Sequence, residues 1–437
     1  MYISLSDRPK DPVPEDGAAN GPAQEGGAKS PVRPGTGAKV SSVVVALGVV
    51  SLLTDISSES VSAVLPLYIT GVIGLSTIAY GFIDGLYQGV SALVRIAGGW
   101  AADRGDRPKW VAFFGYAVSA IARIGLLFAT SFAAITTVLA VDRLGKGVRT
   151  APRDALVAAS SLPGNLGRSF GVHRMLDTIG AALGPLIAFV ILLAIPQGYT
   201  TVFVVSLAFA LLGVAVLGIL VPNRRPRAER ASAGQPRVPF RWRDLTDPRL
   251  RRLLIAAGLL GLLTIGDGFI YLVLQSRGAF AAQWFPLLYV GTNIVFLALA
   301  VPLGRLADRL GRQKIFVAGY LALLAAYLTA ALPVAGIAVT ALCLLLLGTF
   351  YAATDGVLSA LATQLTPPAS TASGIAAAQT VVALARLLAS SGFGFLWYFA
   401  GRESAMLLVA AALAAAIPVA ALLLRSRTPV SSTRAPA

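Results

Sequence analysis

Apolar stretches of roughly 20 residues recur along the whole chain, each long enough as a helix to cross a hydrocarbon layer of about 30 Å. The pattern predicts spans near 41–70, 77–101, 110–130, 133–153, 168–194, 199–221, 250–274, 282–304, 314–332, 336–362, 372–399 and 404–424. Twelve is the count that fits, although ionisable residues interrupt several of the stretches. Polar sequence brackets them in three places. A tail rich in Pro, Gly and Ala fills 1–39, a long linker fills 222–252, and a short tail fills 425–437. The expected layout is a disordered cytoplasmic tail, a six-helix bundle over 40–221, the basic linker, a second six-helix bundle over 253–424 and a cytoplasmic end. The fold class is therefore all-α integral membrane, twelve transmembrane helices in two pseudo-symmetric bundles.

Composition agrees. The 437 residues are 56% hydrophobic and 13% charged, with mean hydropathy +0.75. Those values exclude an ordinary water-soluble globule and a disordered chain. The formal net charge of +16 raises a different question, because it suits nucleic acid or Lys/Arg held on one side of a membrane. Placement decides. The linker 222–252 alone carries ten Arg against Glu229, Asp244 and Asp247, and further basic excess lies in 103–109, 305–314 and the C-terminal tail. With alternating spans all of these fall on one side. The opposite connections hold almost no Lys or Arg beyond Arg277 and Arg402. That is the positive-inside pattern, with both termini cytoplasmic, and no folded basic domain remains for nucleic acid. The first apolar run begins near Val40, so a cleavable signal peptide is not expected. One cysteine, Cys343, excludes an intrachain disulfide, and one histidine, His173, leaves no Cys/His metal cluster. No nucleophile elbow is present either. No cofactor, metal or enzymatic activity is expected.

A repeat supports the two-bundle division. Gly99-Trp-Ala-Ala-Asp103-Arg104-Gly-Asp-Arg107-Pro-Lys109 follows the second span, and Gly304-Arg-Leu-Ala-Asp308-Arg309-Leu-Gly-Arg312-Gln-Lys314 follows the eighth, at an offset of 205 residues. A weaker echo relates the stretches beginning at Asp154 and Asp355. Two six-helix halves with matching loops are the signature of a carrier that rocks about a midplane site. In each loop the Gly allows close helix approach, and the Asp can meet an Arg or a helix N-terminus in contacts that break when the halves rock.

The Gly304–Lys314 loop resembles the hallmark loop of the major facilitator superfamily, and Gly99–Lys109 resembles it with departures at Asp106 and Pro108. Arg143-Leu-Gly-Lys146-Gly147 in the fourth span is similar to a motif of the bacterial drug/proton antiporters. Gly180-Ala-Ala-Leu-Gly184-Pro185 in the fifth is similar to their antiporter motif, except that its final glycines are Ala188 and Phe189 here. Longer strings around Asp55, Arg143 and His173 are similar to a bacterial subgroup of facilitators. The resemblance implies the facilitator fold, a bacterial inner membrane, a gating latch at the repeated loops and a coupling role for Arg143.

The chemistry concentrates in the first half. Asp55 and Glu59 are spaced i, i+4 and share a helix face. Both ionised they would repel, so one is expected to hold a proton, as a coupling site requires; pairing of both with buried Arg is the structural alternative. Asp142 and Lys146 are one turn apart and expected to neutralise each other, leaving Arg143 as a fixed cation. Arg174 is within reach of Asp177, which is the expected counter-ion of Arg143 or Arg123, while His173 is expected to be a structural hydrogen-bonder. The second half offers few ionisable residues but many aromatics and amides. The candidate substrate cavity comprises Asp84, Arg123, Asp267, Tyr271, Asn293, Asp355, Gln379 and Arg386, with Asp84 set toward the external side. The expected function is proton-coupled efflux of a small amphipathic organic compound by a monomer in the lipid bilayer, with sodium as the alternative coupling ion. An importer or facilitator of an anionic metabolite or metal-chelate, with Arg143 and Lys146 as ligands, is the second reading. A non-transporting receptor is the third.

Overall fold

The computed structural model describes residues 40–105, 108–161, 165–222, 247–278, 280–366 and 371–425. The expectations for the tail 1–39, for most of the linker 222–252 and for 426–437 lie outside them. Among the described residues there are thirteen α-helices and no strand. The first six are α1 (Ser42–Leu67), α2 (Thr77–Gly105), α3 (Pro108–Leu126), α4 (Phe132–Ala159), α5 (Leu166–Ala194) and α6 (Tyr199–Leu220). The rest are α7 (Pro248–Gly261), α8 (Asp267–Gly278), α9 (Pro286–Leu310), α10 (Arg312–Ala331), α11 (Ile337–Gln364), α12 (Thr371–Ala400) and α13 (Arg402–Leu424).

Nine described helical segments are long and apolar enough to cross a membrane. The other three of the twelve spans are α2, α4 and the seventh. At 28 residues α4 has the length but also a high density of charge, and in α2 most side chains from Ser91 on lie outside the described residues. The seventh span, expected as one helix over 250–274, is two helices, α7 and α8, separated by residues 262–266. Gly261 and Gly266 bracket the interruption, and glycine disfavours helix by about 1 kcal/mol per position relative to alanine. Inside a membrane the freed backbone groups need partners. Tyr327, fully buried, supplies them: its hydroxyl accepts from the Ile265 N–H at 3.0 Å and donates to the Leu263 carbonyl at 3.0 Å. Thr264 hydrogen-bonds back to the Leu260 carbonyl at 2.9 Å.

In the first half α1 packs on α5 and α6, and α2 and α3 pack on α4. In the second, α9 and α10 pack on α11, while α12 and α13 pack on α7. The halves meet through α2 on α12 and α5 on α9. The α2–α12 seam is very close at the end remote from the basic loops. A Cβ at Gly81 would sit 2.5 Å from the Ser390 carbonyl oxygen and 2.9 Å from the Gly394 Cα. At Gly85 it would sit 2.5 Å from the Leu387 carbonyl oxygen. Backbones approach that closely only where side chains are absent. Toward the basic end, among the described residues, Asp355 and Gln379 are exposed and Glu59 and Lys146 about 30% exposed. Ionisable groups this far along spanning helices require water between the halves. The described halves are therefore in close contact on the side opposite the basic loops, with polar groups exposed toward them.

Candidate functional site

Helix α4 carries the polar spine of the first half. Asp142, Lys146, Arg149 and Arg153 recur at i, i+4, i+7 and i+11, so they line one face. The Asp142 carboxylate is clamped between two cations. Arg143 donates to it through Nε at 3.0 Å and Nη2, and Arg123 lies 3.2 Å away on its other oxygen. All three side chains are only 3–4% exposed. The Arg143 guanidinium also lies 3.7 Å over the Tyr87 ring. This corrects the expected pairing. Asp142 does not neutralise Lys146; its neighbour Arg143 and Arg123 reach it first, because both are already desolvated beside it. Lys146 instead reaches Glu59 of α1 at 3.9 Å, a long and half-exposed contact.

A second cluster joins α1, α4 and α5 nearer the basic end. Arg153 donates to Ser51 at 3.1 Å and to Asp154 at 3.0–3.1 Å, and lies 3.6 Å from Asp177. Arg174 reaches Asp177 at 3.3 Å. Asp177 therefore serves Arg153 and Arg174, and neither Arg143 nor Arg123 as expected. It also lies close enough to Asp55 of α1 for the two carboxyl groups to interact. His173, 3% exposed, shares a 3.1 Å hydrogen bond with Ser51.

Arg153 is the site residue that reading the sequence missed. The fourth span was expected to end at 153, but α4 continues to Ala159 and keeps Arg153 between helices. The i+7 and i+11 continuation of the charged face beyond Lys146 was the available signal.

The glycines of α5 set the position of these carboxylates. A Cβ at Gly180 would strike the Leu52 backbone, and one at Gly184 would sit 2.8 Å from the Ser60 nitrogen and 2.9 Å from the Glu59 Cβ. Both glycines, with the buried Pro185, lay α5 directly on the α1 turns that carry Asp55 and Glu59.

The second-half residues gather at the break in the seventh span. Tyr351 donates to Asp267 at 2.7 Å, and Arg386 lies 5.6 Å from the Tyr351 ring. The Asp84 carboxylate rests against the backbone at Gly266, where a Cβ would overlap it, and Tyr80 rests likewise on Gly268. Asp84, expected toward the external side, is at the contact between the halves on the side opposite the basic loops, where it lines a small cavity. Arg123 and Tyr271 are buried in other contacts. Arg123 is locked on Asp142, while Tyr271, 1% exposed, donates to Thr292 at 2.8 Å and packs 4.6 Å from the Tyr289 ring. Asn293 is half-buried on α9, and Gln379 is exposed and contacts Ser359.

In the second gating loop Arg312 reaches Asp308 at 2.8 Å and the Ala360 carbonyl on α11 at 3.2 Å, and Arg309 is exposed. Gly304 was expected to permit close helix approach, but nothing lies within 4 Å of where its Cβ would be. In the first loop Gly99, Asp103 and Arg104 lie on α2, but the side chains of the two charged residues, and Arg107 altogether, fall outside the described residues.

The model of the Major Facilitator Superfamily matches residues 47–390 and 278–437. An uncharacterized MFS-type transporter of Methanocaldococcus jannaschii is 29% identical over 371 residues, 82% of this chain and 89% of the relative. An uncharacterized protein of Mycobacterium tuberculosis is 27% identical over 289 residues, 64% of this chain and 69% of its own. Among solved structures, a variant of the nucleoside transporter NupG superposes with TM-score 0.76 at 14% identity, covering 88% of this chain and 100% of that one. The inward-facing, unoccupied bacterial homolog of the human lysosomal transporter Spinster superposes with TM-score 0.68 at 16% identity, covering 88% and 96%. The fold, the repeated loops and the family model agree: the chain is a multi-pass membrane transporter, not an enzyme, and belongs to the major facilitator superfamily.

Proposed function

We propose that this transporter couples proton flow to the export of a small amphipathic organic compound, in the manner of the drug/proton antiporters. The supporting observation is the meeting of Asp55 and Asp177. These carboxyl groups come from α1 and α5 and lie close enough to interact, which is favourable when one of them holds a proton. Arg153 stands 3.6 Å from Asp177 and favours releasing that proton when the contact tightens. Glu59 and Lys146 form a looser pair facing the water-filled space, where a substrate can displace one partner. In this reading the basic loops face the cytoplasm of a bacterial cell, and the monomer works in the inner membrane by alternating access. A proton entering from outside is taken up between Asp55 and Asp177, and the substrate leaves in exchange.

The test is pH-driven flux in proteoliposomes. Asp55→Asn and Asp177→Asn are expected to lose gradient-driven transport while keeping substrate counterflow. Full gradient-driven transport in both variants would remove the assignment. A second reading is supported by Lys146, whose partner is 3.9 Å away and whose side chain is 31% exposed. Such a cation suits an anionic solute, and an importer of one would accumulate it inward under the same gradient.

A further inference from the structure

The break in the seventh span joins the two halves in a way that the transport reading leaves unexplained. Residues Gly266-Asp267-Gly268 form a dock for α2. Asp84 fills the space over Gly266 where a Cβ would stand, and the Tyr80 hydroxyl fills the corresponding space over Gly268. Closure on the side opposite the basic loops therefore brings Asp84 of one half beside Asp267 of the other.

The surroundings do not neutralise both. Facing this pair are Tyr80 and Tyr87 on α2, Tyr289 on α9, Tyr351 and Asp355 on α11, and Arg386 and Ser390 on α12. Arg386 is the one cation among these described groups, and Asp355 competes for it. Arg143 lies beyond the Tyr87 ring and is committed to Asp142. Tyr351 satisfies one oxygen of Asp267. Asp84 Oδ2 is enclosed with no hydrogen bond of good geometry, and the fully buried Ser390 hydroxyl, an uncharged group, is the donor beside the carboxylate. An enclosed carboxylate oxygen without a well-aligned donor is costly, and two carboxylates sharing one cation more so. The adjoining cavity, lined by Tyr80, Asp84, Tyr87, Asp267 and Tyr289, holds about 50 Å³. That admits a water or two and no organic solute.

We propose that Asp84 and Asp267 form a proton-controlled latch: the side opposite the basic loops closes when one proton from that side neutralises one of the two carboxylates. In the docked state the proton lies on one carboxyl, and the other keeps Arg386 as its counter-ion. When the halves part on that side, both carboxylates reach water and the proton is released there. The latch rests on the reading of a proton-coupled carrier and adds a second proton site, distinct from Asp55 and Asp177.

The experiment measures the closure directly. Spin labels at Thr130→Cys, between α3 and α4, and Ile337→Cys, at the start of α11, report the distance between the halves on the latch side in reconstituted protein. Cys343 is buried and stays unlabelled. Between pH 5.5 and 8.5 the closed-to-open ratio is expected to fall, approaching tenfold per pH unit on the alkaline side of its midpoint for one linked proton. Asp84→Asn and Asp267→Asn are each expected to keep the latch side closed across that range. Asp55→Asn is expected to retain the pH response. A ratio that does not change with pH, a pH response that survives in both latch variants, or closure driven by sodium at fixed pH would each overturn the proposal. Flux and distance separate the two assignments: loss of the latch response with Asp55→Asn still defective in gradient-driven flux removes only the latch.

Discussion

Arg143 and Asp142, consecutive in sequence, are paired with each other by hydrogen bonds from Nε and Nη2, although side chains of adjacent helical residues ordinarily diverge. The pair exists because Arg123 and the Tyr87 ring close the space around it. Removing the carboxylate leaves two buried guanidinium groups facing each other. Asp142→Asn is expected to destabilise the protein by about 3–5 kcal/mol, read as a clear drop in melting temperature in detergent. Arg143→Lys retains the charge but loses the two-point contact and is expected to fall between wild type and Asp142→Asn. If Asp142→Asn melts like wild type, the clamp has no structural weight.

The α2–α12 seam predicts a steric block. Gly85→Leu has no room against the Leu387 carbonyl oxygen, 2.5 Å from where its Cβ would lie. It is expected to hold that side open at every pH, abolish transport, and expose a cysteine introduced at Ser62 to a membrane-impermeant maleimide applied from that side. Normal transport by Gly85→Leu would mean that the seam does not need to close.

His173 is expected to be dispensable for coupling. It is 3% exposed and bonded to Ser51, which also accepts from Arg153. His173→Gln retains a hydrogen-bonding group and should leave the midpoint of the pH profile of transport unchanged while lowering thermal stability slightly. A displaced midpoint would make the histidine part of the proton path.

Asp308 and Arg312 form an exposed i, i+4 pair. Such pairs contribute about 0.3–0.5 kcal/mol, so Asp308→Asn should melt within about a degree or two of wild type. A role in gating appears instead as a changed transport rate at unchanged stability. A large loss of stability would assign the loop to folding.

How much of this was legible along the chain depends on the range of the interaction. The spans, the repeat between Gly99–Lys109 and Gly304–Lys314, and the one-sided Arg distribution are local or periodic, and they follow from hydrocarbon thickness and charge placement. The carboxylates Asp55, Glu59, Asp84, Asp142, Asp177 and Asp267 stood out because ionisable groups are costly in spanning helices. Their partners did not. Spacing suggested Asp142 with Lys146, but desolvated Arg123 and Arg143 prevail because a buried carboxylate takes the nearest buried cations. Arg153 looked like a loop charge until α4 was seen to run past it.

The amino-acid sequence by itself determined the class of molecule: a twelve-span, two-half carrier with its polar residues concentrated in the first half. Only the tertiary structure decided that the seventh span breaks. Gly261 and Gly266 permit the break, but Tyr327, more than sixty residues away, satisfies the freed backbone. Only the tertiary structure set Asp84 on Gly266 and Asp55 beside Asp177. Those contacts depend on how closely glycine lets one helix approach another, which no pattern within a single helix records.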